Sequence, residues 1–257
     1  MKGLNPKSFF LMFTSFFTFT HALQSIHPML QTTTQLRGGS SALALSPEAI
    51  RLAETLAPKV GIITSSALYF APTAAVLQAI RTNDIGDLNP LPLAIMSVVS
   101  VAWLAYGISC NDPYVALSNI AGCIGSCYYV LGTLPLLPKP KLRTTQAVVL
   151  SGYASTLCLW TVLGLSGASA TTISSVLGLF ASGLFVILAG SPLSTIKSVM
   201  RTKNSSSILG ALTLAQVINT SLWSAYGLAI RDRFVWGPNV VGLGLGLIQL
   251  VLKLLFK

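Results

Sequence analysis

Trp103, Ala105, Tyr106 and Gly107 spell WLAYG, and the pattern returns as WSAYG at Trp223, Ala225, Tyr226 and Gly227, 120 residues later. The offset holds without a gap over a long window. Pro72 pairs with Pro192, Arg81 and Thr82 with Arg201 and Thr202, Asp112 with Asp232, Val115 with Val235, Asn119 with Asn239, and Gly122 with Gly242. Eleven of the 54 positions in 69–122 are identical to their partners. A duplication this long restricts the fold to two structural copies, with a functional site expected between them.

The solvent around those copies follows from composition. Charged residues make up 9% of the 257 and hydrophobic ones 53%, against about 25% charged in an ordinary soluble domain. A transmembrane helix needs about 20 mostly apolar residues. Runs of that kind predict spans at 59–80, 92–110, 114–137, 146–167, 172–200, 208–230 and 236–256. The duplication covers spans one to three and five to seven, so span four stands outside it. Three helices per copy is an odd number, and a second copy joined directly would enter the membrane inverted. One extra helix restores the direction. The expected fold is therefore an all-α membrane protein, seven transmembrane helices in a 3+1+3 arrangement of two parallel triple-helix bundles. Its segments are a leader at 1–58, the first repeat at 59–137, a linker helix at 138–170 and the second repeat at 171–257.

A net charge of +10 would suit nucleic acid as a partner, but its distribution argues against that. Arg81, Lys139, Lys141, Arg143, Arg201, Lys203, Lys253 and Lys257 all fall at one end of a seven-span plan. By the positive-inside rule that end is cytoplasmic and the N-terminus lies outside or in a lumen. Lys2 and Lys7 precede an apolar run at 9–19, followed by Thr20, His21 and Ala22, a secretory signal pattern. The expected location is the plasma membrane or an endomembrane. The hydroxyl-rich, acid-free stretch at 23–47 keeps a plastid envelope open as an alternative. Cys110, Cys123, Cys127 and Cys158 have no His or acidic partners in the spans, so no metal or disulfide is expected, and no cofactor.

Trp103 and Asn119 are 16 residues apart, as are Trp223 and Asn239, and each pair straddles a short polar turn. About 8 residues on either side of the turn, at 1.5 Å per residue, put both members about 12 Å below it. Two Trp and two Asn are thus expected at one depth near the bilayer midplane. A buried Asn there needs partners or a wet cavity, and its repetition beside a Trp points to a binding site. Asn219, one turn before Trp223, adds a polar group where the first copy has Val99. No charged residue is expected at that depth. Carboxamides and indole faces suit a neutral polyol, and no carboxylate is available to couple a proton or cation. Pro72 and Pro192, inside spans one and five, and Pro92 at the start of span two are expected to act as hinges. Gly122, Gly125, Gly242, Gly244 and Gly246 are expected to let the third helix of each copy approach its neighbours closely.

These residues carry a resemblance to the SWEET sugar facilitators, which are parallel-repeat transporters. It covers about residues 59 to 257. Its strongest pieces are SPLSTIKSVMRTKNSSS, INTSLWSAYG and GPNVVGLGLGLIQLVLKLLF, with FAPTAAVLQAIRTND, WLAYG and NIAG in the first half. The resemblance implies seven helices and uniport of mono- or disaccharides by alternating access. It implies sugar contacts at Asn119, Asn239, Trp223, Trp103 and Asn219, and hinges at Pro72, Pro92 and Pro192. A fourth proline, usual at the start of span six, is replaced by Leu209 and Gly210. The partners implied are a small neutral sugar and membrane lipid, with self-association left open. Two other readings stay open on the residues: a PQ-loop-like carrier of another solute such as an amino acid, and a heptahelical receptor or sorting protein. An enzyme is not expected, because no nucleophile–base or metal constellation occurs in the spans.

Overall fold

The structure, a computed structural model, describes residues 46–256, with the side chains at 190 and 191 left aside. The signal-like run and most of the leader lie outside the described residues. The described elements are helical: α1 (Pro47–Phe70), α2 (Thr73–Thr82), α3 (Pro90–Ser109), α4 (Pro113–Thr133), α5 (Lys139–Leu165), α6 (Ala170–Leu188), α7 (Gly190–Thr202), α8 (Gly210–Ala229) and α9 (Arg233–Leu255). A 3-10 turn, Leu134–Leu136, follows α4. α1 with α2 makes span one and α6 with α7 makes span five. Six spans are long and apolar enough to cross a membrane among the described residues. The remaining one, α8, is as long as α3 but carries Thr213, Gln216, Asn219, Thr220 and Ser221.

Three boundaries depart from the sequence reading. α1 starts at Pro47, not at 59, so the last part of the expected leader is helix. Hydropathy finds what suits lipid, whereas helix formation also accepts the polar start, where Glu48 in the first turn favours the helix dipole. Ala57 and Pro58 are already buried. α5 likewise starts at Lys139, earlier than 146. Spans one and five are each two helices, because the prolines break them.

Within each repeat the third helix lies between the other two: α4 packs on α3 and α2, and α9 packs on α8, α6 and α7. α5 packs mainly on α3, through Gly152 against Val98 and a 2.5 Å hydrogen bond between Ser97 and Tyr153. The linker helix thus belongs mechanically to the first repeat. α3 and α6 form the principal packing between repeats.

The WxAYG motif acquires a local explanation. Gly107 and Gly227 sit where the next helix begins. A Cβ on Gly107 would lie 2.6 Å from the Ala116 nitrogen, and one on Gly227 2.5 Å from that of Trp236. The chain then turns through Asn111 (φ 55°) or Arg231 (φ 59°). The Asp112 N–H donates to Gly107 O at 2.9 Å and the Asp232 N–H to Gly227 O at 2.8 Å, a Schellman-type closure. Each aspartate then caps the following helix. Asp112 Oδ1 accepts from the Tyr114 and Val115 N–H groups, and Asp232 Oδ1 from those of Phe234 and Val235. Among the expected packing glycines, Gly122 and Gly246 are crowded, Gly242 is tight and Gly125 is in ordinary contact, but Gly244 faces open space. Close approach is therefore not the reason for a glycine at 244.

Candidate substrate cavity

A cavity of about 470 Å³ runs between the repeats, within the size range typical of small-molecule sites. Trp103, Trp223, Asn119, Asn239, Asn219, Pro72, Pro92 and Pro192 all line it. All eight candidates from the sequence thus meet around one cavity. Val99 lies on the same wall as the first-copy counterpart of Asn219. No charged side chain lines the cavity among the described residues. No group of three or more His, Cys, Asp or Glu able to hold a metal occurs among them either.

The amides are held in different ways. Asn119 Nδ2 donates to Val115 O at 2.8 Å, and its Oδ1 accepts from Tyr69 Oη at 2.9 Å. Asn239 Nδ2 makes the equivalent bond to Val235 O at 2.8 Å. Asn219 Oδ1 accepts from Thr64 at 2.7 Å and Ser65 at 2.9 Å. The Trp223 indole N–H donates to Ser65 Oγ at 3.0 Å. Trp103, Trp223, Asn119 and Asn219 are buried, while Asn239 is half-buried.

One end of the cavity is closed by contacts that repeat about the axis between the copies. Tyr106 Oη donates to Asp232 Oδ2 at 2.5 Å, and Tyr226 Oη donates to Asp112 Oδ2 at 2.8 Å. Each carboxylate therefore caps its own helix with one oxygen and holds the other repeat with the second. The ring contacts repeat as well. Trp103–Tyr106 and Trp223–Tyr226 meet edge to face at 5.5 and 5.8 Å, and Tyr106–Phe234 and Tyr226–Tyr114 both at 5.9 Å. Val99, Ala102, Val115, Leu177, Ala181 and Val235 complete this apolar plug. Sequence reading used the tyrosines and aspartates only as markers of duplication. Their joint repetition at a six-residue spacing was the available signal that they serve each other. The cavity extends the other way to Ser207, Ile208, Leu209 and Gln249, at the end that carries Arg201, Lys203 and Lys253.

The prolines mark breaks in the surrounding helices. Pro72 has no N–H to continue α1, and the carbonyls it frees are taken up locally. Leu68 O accepts from the Ala71 N–H, Tyr69 O from Tyr129 Oη at 3.2 Å, and Phe70 O from Thr73 Oγ1 at 2.6 Å. A further proline, Pro238, lies inside α9, and Ser182 Oγ satisfies the Phe234 carbonyl it leaves open, at 3.2 Å. Sequence reading did not single out Pro238, which has no partner in the first repeat, where Ser118 stands.

The comparisons with known proteins bear on this arrangement. A family model described as "Sugar efflux transporter for intercellular exchange" matches residues 58–138 and 175–257, the two repeats. Bidirectional sugar transporter SWEET11 of Arabidopsis thaliana is 27% identical over 202 residues, covering 77% of this chain and 68% of its own. Sugar transporter SWEET1 of Rattus norvegicus is 28% identical over 177 residues, covering 67% of this chain and 77% of its own. A solved structure of a eukaryotic SWEET transporter superposes with a TM-score of 0.72 at 19% identity, over 80% of this chain and 97% of that one, and so shares the fold. A cavity between two copies of a three-helix unit, in a chain whose copies both match this model, leads to one conclusion: the chain belongs to the SWEET family of sugar transporters and is a multi-pass membrane protein.

Proposed function

We propose that the chain is a bidirectional, gradient-driven sugar uniporter that works by alternating access around the cavity between its repeats. The observation that supports this most is the neutral lining. Five side chains (Trp103, Trp223, Asn119, Asn219 and Asn239) offer flat apolar faces and amide groups and no charge. A mono- or disaccharide would place C–H faces on the indoles and hydroxyls on the amides. A charged substrate would find no counter-ion, and a driving proton or cation no carboxylate.

In this reading the structure is the state closed at the Tyr–Asp end. The basic end faces the cytosol by the positive-inside rule, so the sugar enters and leaves from there. Release of the two Tyr–Asp bonds, with closure at the opposite end around Pro72, Pro92 and Pro192, would expose the site to the other side. The breaks at Pro72 and at the α6–α7 junction supply the places where the helices can bend.

Purified protein in liposomes should equilibrate at least one labelled sugar from a panel of glucose, fructose, galactose, mannose and sucrose, with no ion gradient imposed. The double variant Asn119→Ala/Asn239→Ala should slow that equilibration strongly at sugar concentrations below half-saturation. Uptake that needs a proton gradient, or that the double substitution leaves unchanged, would defeat the proposal.

A further inference from the structure

Each repeat puts a Trp and an Asn on the cavity, but the structure does not treat the two pairs equally, and the hydroxyls that hold them come from α1. Ser65 and Tyr69 of α1 supply hydroxyls; their counterparts 120 residues later on α6 and at its C-terminal cap are Phe185 and Ala189. Ser65 accepts the Trp223 N–H, whereas the Trp103 indole N–H has no hydrogen-bond partner among the described residues. Tyr69 donates to Asn119 Oδ1, whereas Asn239 Oδ1 has no protein donor among them. Tyr69 is fixed for this task. Its ring packs where a Cβ on Gly122 would come within 2.6 Å of it, and its carbonyl is held by Tyr129. Next to Gly242 the corresponding space is occupied by the Phe185 ring, which has no hydroxyl to offer.

A carboxamide oxygen has two lone pairs and an indole has one N–H. Asn119 therefore keeps one lone pair, in a fixed orientation, and Asn239 keeps two. Asn219 spends its oxygen on Thr64 and Ser65 and keeps its NH₂ group. Trp103 keeps its N–H and Trp223 does not. We propose, resting on the sugar-transport reading above, that Tyr69 is a positioning residue that polarises the site. It withdraws Asn119 from the substrate, so that Asn239 is the principal acceptor of a sugar hydroxyl, with Trp103 and Asn219 as the donors. The sugar is then held in one orientation relative to the repeats, not in two equivalent ones.

The test uses the full chain and two readouts. The first needs no sugar: thermal unfolding of Tyr69→Phe, Asn119→Ala and their double variant in detergent. Because the two groups bond each other, their effects should be non-additive, whereas Tyr69→Phe and Asn239→Ala should add. The second is the concentration for half-maximal equilibrium exchange in liposomes, for whichever sugar of the panel the unaltered protein moves. Asn239→Ala should raise it about two- to tenfold, the loss of one neutral hydrogen bond, and Asn119→Ala by less. Adding Tyr69→Phe to Asn239→Ala should recover part of that loss, since it returns the Asn119 oxygen to the cavity. A merely structural tyrosine would make the double variant worse. Additive unfolding of Tyr69→Phe and Asn119→Ala, equal effects of the two Asn variants, or failure of the rescue would each overturn the assignment while leaving sugar transport standing. Movement of no sugar in the panel by the unaltered protein would overturn the transport reading itself, and with it these substrate contacts.

Discussion

Gly227→Ala is expected to destabilise the protein by about 3 kcal/mol or more, and Gly107→Ala by a similar amount. The added methyl groups would meet backbone nitrogen at 2.5 and 2.6 Å. A side chain in the way can rotate, but a backbone nitrogen at a capped helix start cannot. Relief requires α8 to part from α9, or α3 from α4, and those are the most extensively packed helix pairs among the described residues. The same parting would pull Asp232 or Asp112 away from the opposite tyrosine. Gly244→Ala is the matched control. Nothing lies within 4 Å of a Cβ there, so it should be neutral or gain up to about 1 kcal/mol from helix propensity. Thermal unfolding in detergent separates the cases. Unfolding of Gly227→Ala at the temperature of the unaltered protein would mean that the hairpin is not packed as described.

The second large effect is expected at the closed end. Tyr106→Phe/Tyr226→Phe keeps both rings in the plug but removes the two Tyr–Asp bonds between the repeats. Hydrogen bonds to charged groups contribute about 1.5–3 kcal/mol each. Losing the pair should shift the balance toward opening at this end by about 3 kcal/mol, on the order of a hundredfold in population. Asp112→Asn/Asp232→Asn offers an independent check, because Asn caps a helix about as well as Asp but carries no charge for the tyrosine. It should open this end with little loss of helix stability. The readout is the labelling rate of a Val235→Cys reporter, in a background with Cys110, Cys123, Cys127 and Cys158 replaced, by a thiol reagent that cannot cross the membrane. Faster labelling from the Tyr–Asp side in both double variants is expected. An unchanged rate would show that the apolar plug alone keeps this end shut.

The fold was legible because its largest features are periodic or repeated. The 120-residue offset and the odd helix count required parallel copies, and equal distances from the two turns required Trp103, Asn119, Trp223 and Asn239 to share a level. What stayed hidden depends on contacts with no local pattern. The hydroxyls of Ser65 and Tyr69 matter because of residues 158 and 50 positions away, at Trp223 and Asn119, and neither hydroxyl is repeated in the second copy. The early start of α1 was missed because hydropathy measures affinity for lipid, and a helix can begin outside it. Asp112 and Asp232 were visible as repeated turn residues. Their second task could not be read from either copy alone, because the tyrosine each one holds belongs to the other.

That exchange has a consequence in terms of symmetry. Tyr106 with Asp232 and Tyr226 with Asp112 make an isologous contact, in which the same patch meets itself across a two-fold axis. A patch of this kind carries both halves of its own recognition. Two identical copies of either three-helix unit would satisfy the same pairs without any linker between them. Fusion through α5 therefore adds nothing to how this end closes. What it permits is divergence: once the copies share one chain, α1 can acquire Ser65 and Tyr69 while α6 keeps Phe185 and Ala189, and the substrate can meet two unlike walls.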